Sequence, residues 1–189
     1  PGTFRPIQFI IPKGSCLAAQ LPAAVGGCWE VFRQIQSAMV GVFCQVTPNE
    51  VGGETYGTST HVFVSGFDIE RNTSYLLYEY PVAGTPATND NDGVTGVPHY
   101  DCGDIPSVYP AESAELRQPL IVESLAARND GESPGHRRSG FGVTRKIRIM
   151  SSNSQLNVMA DRAVIPPWGA FGASPGSVNS YTVFRDGEL

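Results

Sequence analysis

One stretch of helical periodicity, residues 28 to 46, constrains the fold most. Apolar side chains recur there at intervals of three and four residues, which places them on one face of a helix. Gly27 gives a permissive start, and Pro48 ends the pattern. We therefore predict an amphipathic helix over 28–46 that packs through its apolar face. The apolar positions are Cys28, Val31, Phe32, Ile35, Ala38, Met39, Val42, Phe43 and Val46, and the polar positions opposite are Glu30, Arg33, Gln34 and Gln36.

The other local signals are mostly β. Glycine and proline are frequent, at 21 and 15 residues, which favours many turns and few helices. Residues 140–150 alternate between apolar and basic side chains, which predicts a strand with one buried face, paired as a hairpin with 156–165. The fold class predicted is α+β, a mainly antiparallel β-sheet with one long amphipathic helix packed on it. The remaining predictions are strands at 4–12, 61–64, 75–80, 120–127 and 180–184, with a short helical turn at 111–116.

Length and charge limit the function classes. A chain of 189 residues suits a single domain. Its net charge of −5 argues against nucleic acid and anionic membranes as partners, because both are negatively charged. No run approaches the roughly 18 apolar residues of a membrane span, so we expect a cytoplasmic protein. The four cysteines are widely spaced with no CxxC pair, which favours free thiols over disulfides or a zinc site.

A long loop at 82–109 carries acidic and amide side chains around Gly93. The segment 89–93 is followed by His99, Asp101 and Asp104. The pattern lacks the closing glutamate of an EF-hand, and an Asx-rich turn accounts for it more simply than a calcium site does. The remaining interpretation is a catalytic or metal-adjacent loop that brings His99 to a pocket.

Three further groups could carry chemistry. Glu112 and Glu115 share one face of the predicted turn, where two carboxylates raise one another's pKa as a general acid or base requires, although a solvated helix explains them more simply. Arg137 and Arg138 lie in a glycine-rich segment and can bind a carboxylate or phosphate, or simply form a turn. Trp168, between prolines and glycines, can form a rigid wall against a core or a neighbouring subunit.

Taken in order, these segments resemble the C-terminal half of the hydantoinase B/oxoprolinase family. The resemblance rests on six motifs spread over nearly all of the chain. They are Phe4-Arg5-Pro6 with Pro12-Lys13-Gly14-Ser15, Gly26-Gly27-Cys28-Trp29-Glu30, Asp92-Gly93, Pro110-Ala111-Glu112 with Glu115, Asp130-Gly131 through Arg138-Ser139-Gly140-Phe141-Gly142, and Asp161-Arg162 with Pro167-Trp168-Gly169 and Gly172.

The resemblance implies a B-type subunit of an ATP-dependent cyclic-amide hydrolase, of the N-methylhydantoinase or 5-oxoprolinase type. An A-type partner subunit would bind ATP and Mg²⁺ and phosphorylate the small-molecule substrate, after which the B-type subunit completes ring opening. Residues 1–189 would form one partial domain that lacks the family's N-terminal half and C-terminal end. The remaining segments of the B subunit would then be partners, and a divalent metal would be bound in the missing half, with no cofactor on this chain.

Within that frame, three side chains are predicted to line the substrate pocket. Arg138 would stabilise an oxyanion or phosphate, Glu112 would act as acid or base, and His99 would donate or accept a hydrogen bond. Two alternatives remain open. The chain could belong to a carboxylase of the acetone or acetophenone type, or it could be a non-catalytic scaffold that holds the A-type subunit.

Overall fold

The computed structural model describes residues 2, 5–97, 108–128, 130 and 133–185. Its elements confirm the predicted α+β class, with one long helix, one short helix and antiparallel strands. The long helix occupies the predicted range. The elements are α1 (Cys28–Val46), β1 (His61–Asp68), β2 (Thr73–Glu79), α2 (Ala111–Arg117), β3 (Leu120–Ala127), β4 (Val143–Ile149) and β5 (Ser154–Met159).

The strands form two antiparallel sheets. One has the order β2-β1-β5, and the other pairs β3 with β4. The predicted hairpin between 140–150 and 156–165 is therefore wrong, although both strands exist. After β4 the chain crosses to the other sheet, where the Ser151 hydroxyl donates to the Phe67 carbonyl at 3.0 Å. Leu156 then lies opposite Val64 of β1. These contacts with β1 direct β5 away from β4.

The core lies between the two sheets and beneath α2. Its buried members come from β1, β2, α2 and β3, and Val62, Val122, Ile147 and Ile149 pack against them. In β4 the predicted two-residue alternation is confirmed, with half-buried residues (Val143, Arg145, Ile147 and Ile149) alternating with exposed ones (Thr144, Lys146 and Arg148). The buried apolar residues of this cluster are Val64, Tyr75, Leu77, Ala114 and Leu120.

Two predicted strands do not form. The described part of 4–12 has no strand, and Phe9 and Ile10 are 73% and 82% exposed. Residues 180–184 likewise lie outside any strand. Both segments have strand-like composition, but among the described strands neither finds a partner to complete its backbone hydrogen bonds.

Helix α1 is turned the opposite way from the prediction. Its polar residues Glu30, Arg33 and Ser37 are buried, whereas the apolar stripe that includes Phe32 and Met39 is exposed. The N-terminal part of the helix lies at the start of β1, where Glu30 approaches His61. The reason for the inversion is a set of hydrogen bonds that only the polar face can make, described below.

No helix within the described ranges is both long and apolar enough to cross a membrane. The described cysteines agree with the prediction of free thiols. Cys16 and Cys44 are unpaired, and Cys44 donates to the Gly52 carbonyl at 3.2 Å. Burial raises the pKa of the Cys44 thiol. Cys102 and the side chain of Cys28 lie outside the described residues.

Candidate functional site

A buried carboxylate, Glu54, joins three parts of the chain beside α1. One of its oxygens accepts hydrogen bonds from the Ser37 hydroxyl and from the Arg162 guanidinium. The other accepts from the backbone N–H of Trp168 at 2.8 Å. The Glu54 side chain is 0% exposed and that of Arg162 is 10% exposed, so this ion pair is shielded from water. A charge in such a place is stable only when it is fully paired.

A second buried carboxylate, Glu30 of α1, holds the segment that leads into β1. Its two oxygens accept from the Thr58 hydroxyl at 2.6 Å and from the Ser59 backbone N–H at 2.8 Å. Thr60 and Arg162 have φ of 53° and 66°, in the left-handed region that residues with side chains rarely adopt. The hydrogen bonds around them hold this strained backbone in place.

His61, the first residue of β1, lies at the edge of this network. Its Nδ1 is 2.6 Å from the Tyr78 hydroxyl, and its Nε2 is 3.6 Å from the Glu30 carboxylate. The nearby carboxylate favours the tautomer with a proton on Nε2, so the Tyr78 hydroxyl donates to Nδ1. Burial lowers the pKa of His61 and raises the pKa of Tyr78. Both groups are therefore neutral at pH 7.

A wide cleft of about 2520 Å³ is lined by residues of both sheets and is continuous with this network. Glu54, Trp168 and Tyr181 line one part of it. Trp168, which was predicted to form a rigid wall, is one of the residues that line the cleft. Its indole lies beside Gly41 of α1, in the same chain.

A second buried ion pair lies in the cleft wall. Arg145 of β4 contacts Glu79 of β2 at 2.9 Å, and the Tyr109 backbone N–H donates to the same carboxylate at 3.1 Å. Burial raises the pKa of Glu79 above its ordinary value, against the opposing effect of Arg145. The pair joins the two sheets, because each strand contributes one partner.

Two glycine-rich loops, 84–96 and 133–142, pack backbone against backbone at the cleft rim. The Gly140 N–H donates to the Thr85 carbonyl at 2.9 Å, and the Gly93 N–H donates to the Arg138 carbonyl at 2.8 Å. A Cβ at Gly84 or Gly140 would collide with the opposite backbone. Glycine is required here because any side chain would separate the loops.

Arg138 and Glu112 are both exposed, and of the described residues neither lines the cleft. Arg138, with its side chain 60% exposed, faces Asp92 at 3.6 Å across the paired loops. Glu112 occupies the first turn of α2, where Glu115 accepts from the Val122 backbone N–H at 2.8 Å. His99 lies outside the described residues. The pocket roles of these three side chains stay predictions.

The segment 89–93 bends at residues 89–91, but the described hydrogen bonds that close the bend join Thr88 to the Asn91 backbone and do not involve the acidic and amide side chains on which the predicted Asx-rich turn depended. Thr88 and Asn91 exchange hydrogen bonds at 2.9 and 3.1 Å. Among the described residues, no three His, Cys, Asp or Glu side chains come together as a metal site. Asp101 and Asp104, the other acidic residues of this segment, lie outside that part of the chain.

The buried polar network was missed by the sequence analysis. Glu54 and Arg162 are 108 residues apart, and no spacing rule relates them. The only signal was the motif Asp161-Arg162, in which Asp161 accepts from Gln34 of α1 at 3.1 Å. His61 was expected to pack within a strand, and it does.

Comparison with known proteins decides the family. The family model for hydantoinase B/oxoprolinase matches residues 1–188. This chain belongs to that family. It is 27% identical to an uncharacterised protein of Methanocaldococcus jannaschii, over 99% of this chain and 32% of that protein. An uncharacterised protein of Schizosaccharomyces pombe is 25% identical, over 90% of this chain and 13% of that protein. The chain thus spans a third or less of these relatives.

A solved structure shares the fold. Acetone carboxylase in its nucleotide-free form superposes with a TM-score of 0.59 and 19% sequence identity. The similarity covers 68% of this chain and 17% of that one. The arrangement of helices and sheets described above is therefore found within a much larger polypeptide.

Replacing Glu54 with glutamine should destabilise the protein strongly. The change keeps the shape but leaves Arg162 as an unpaired buried charge, which costs about 3–5 kcal/mol of unfolding free energy. Urea unfolding followed by circular dichroism measures the loss. Glu123→Gln is the matched control, because Glu123 pairs with exposed Lys146 and Arg148, and its midpoint should hardly move. Equal midpoints for the two variants would contradict the network's structural role.

Lowering the pH should weaken folding through His61. Burial lowers its pKa below 6.5, Arg33 acts in the same direction, and Glu30 opposes them. The folded protein then takes up a proton less readily than the unfolded chain does, so the unfolding free energy falls as the pH drops through 6.5.

Urea unfolding between about pH 7.5 and 5.5 tests this, a range set around the ordinary histidine pKa. His61→Gln should lose part of the decline, and the control His136→Gln, at an exposed position, should keep it. An NMR titration of the unmodified protein gives a second check, since the His61 midpoint should lie below 6.5. A midpoint above that value, or an undiminished decline in His61→Gln, would show the sign to be wrong.

Proposed function

We propose that this chain is part of the B-type subunit of an ATP-dependent cyclic-amide hydrolase, of the N-methylhydantoinase or 5-oxoprolinase type. The observation that carries the proposal is the family match over residues 1–188. A second candidate, an acetone or acetophenone-type carboxylase subunit, is favoured by the fold shared with acetone carboxylase. Both candidates activate a carbonyl oxygen with ATP and differ in what attacks afterwards.

The proposed reaction divides the work between two subunits. An A-type partner binds ATP and Mg²⁺ and transfers the γ-phosphoryl group to the amide oxygen, leaving ADP and an O-phosphorylated imidate. Water adds to the activated carbon, and the carbon–nitrogen bond breaks as the nitrogen takes a proton. A second water releases inorganic phosphate from the acyl phosphate. Because the described residues bring together no metal-ligand cluster, the proposal assigns no metal ion to them.

We assign substrate binding and proton transfer to residues of this chain. Arg138 stands on a loop braced by glycine contacts, and only Asp92, at 3.6 Å, offsets its charge among the ion pairs described. An exposed guanidinium on a rigid loop is suited to an incoming phosphoryl oxygen. Glu112 is exposed on α2, so it acts as acid or base only once a partner covers it. His99 completes the proposed set.

Substrate-dependent ATP hydrolysis tests the function. The B-type subunit that contains this chain and its remaining segments, reconstituted with an A-type subunit, should release phosphate faster in the presence of a hydantoin or 5-oxoproline than without it, and bicarbonate should make no difference. Stimulation by acetone or acetophenone that requires bicarbonate would support the carboxylase instead. No stimulation by any of these substrates in a verified complex would contradict both.

The same assay tests the site residues. Arg138→Ala and Glu112→Gln should each lower kcat well beyond tenfold, as expected for groups that act on the reacting atoms. Arg71→Ala and Glu70→Gln, exposed in the β1–β2 turn, are matched controls and should retain activity. Normal turnover combined with weaker binding of the A-type subunit would favour the scaffold alternative.

A further inference from the structure

The chain exposes much more surface than a self-contained protein of its mass. Its accessible surface is 12686 Å², and the mass is 20.2 kDa. A compact monomer of this mass exposes about 8,800 Å². The excess is roughly 3,900 Å², several times the ~800 Å² that one partner contributes to a standard protein interface. An excess of this size leaves ample surface for another polypeptide to cover.

The outer face of α1 is the most regular of these surfaces. We define it by the apolar side chains that point away from the buried network. Trp29 and Phe32 begin it with an edge-to-face contact at 5.7 Å between ring centroids. Each member is between 41% and 70% exposed. The members are Trp29, Phe32, Ile35, Met39, Val42, Phe43 and Val46.

The outer face of α1 carries no charged side chain. The only charged residues of this 19-residue helix are Glu30 and Arg33; both are buried, and the Arg33 guanidinium lies 5.6 Å from the centroid of the Trp29 ring. A helix that faces water normally presents charged and polar residues on that face. Depletion of charge together with aromatic side chains and methionine is typical of the buried centre of an interface.

The lengths of the relatives indicate what covers this face. The match spans 32% of the Methanocaldococcus jannaschii protein and 13% of the Schizosaccharomyces pombe protein, so most of each polypeptide lies outside it. The fold also occupies only 17% of the acetone carboxylase chain. A second copy of this chain paired through α1 would leave the cleft and the exposed segment around Phe9 and Ile10 uncovered.

We propose that the outer face of α1 binds an apolar, uncharged surface of the remaining part of a hydantoinase B-type polypeptide, joined to this chain or separate from it. The binding is dominated by burial of apolar area. The buried polar face fixes the orientation of the helix, so this surface is formed before its partner arrives. The proposal uses the family assignment and is independent of the substrate.

Site-specific photocrosslinking in the organism that makes the protein tests this. A photoreactive phenylalanine analogue replaces Met39, and the crosslinked peptides are sequenced by mass spectrometry. The expected product contains hydantoinase B-type sequence from outside residues 1–188. The control position is Leu116 on α2, which is 77% exposed and should give no such product. A crosslink to a second copy, to an unrelated protein or to nothing would overturn the proposal.

A charged variant gives a second measurement. Ile35→Lys combined with Met39→Lys should lower crosslinking from Val42 at least tenfold, since lysine disfavours an apolar interface. The unfolding midpoint of the purified chain should stay unchanged, because both side chains are exposed in it; Leu116→Lys is the matched control. A large fall in the midpoint would show that the face packs within this chain, which contradicts the proposal. Neither crosslinking nor the unfolding midpoint measures turnover. Failure of this proposal can therefore be distinguished from failure of the proposed enzyme activity.

Discussion

The buried ion pair between Glu54 and Arg162 sets the arrangement of everything around α1. A shielded carboxylate has to be satisfied by donors, and here these are the Ser37 hydroxyl, the Arg162 guanidinium and the Trp168 backbone. Together with Glu30, it requires the helix to turn its polar face inward. Once that face is committed to buried hydrogen bonds, the apolar stripe on the opposite side has to face outward.

This inversion explains why so little apolar surface is buried within the chain. The core between the sheets is small, and its described members come from β1, β2, α2 and β3 but not from α1. The cleft and the outer face of α1 therefore remain available to other polypeptide segments. Within the same framework, the glycine contacts between the two loops hold Arg138 and Asp92 at the cleft rim. Rigid backbone at such a place suits a residue that has to meet a substrate or a partner.

Local structure was predictable where the signal is local. The helix at 28–46 and the strand at 120–127 were placed correctly, because periodicity, β-branched content and stop signals lie within the segments themselves. The pairing of β4 and β5 was not, because partner choice depends on distant contacts such as that of Ser151 with Phe67. The segment 4–12 has the composition of a strand, but its described residues pair with none of the described strands. Of the candidate site, the sequence predicted loops around Gly93 and Arg138, but neither the pairing of these loops nor the buried network.

The amino-acid sequence alone specifies the positions of α1 and β3, the absence of charge along one side of α1, and the ordered motifs that mark the family. Which side of α1 is buried, the contact of His61 with Tyr78 and the pairing of Glu54 with Arg162 are set by the three-dimensional fold. Hydrophobic periodicity shows which residues share a helix face, but it does not show what that face contacts. Glu54 can be buried because Arg162, 108 residues away, donates to it. No local sequence pattern predicts a donor at that distance.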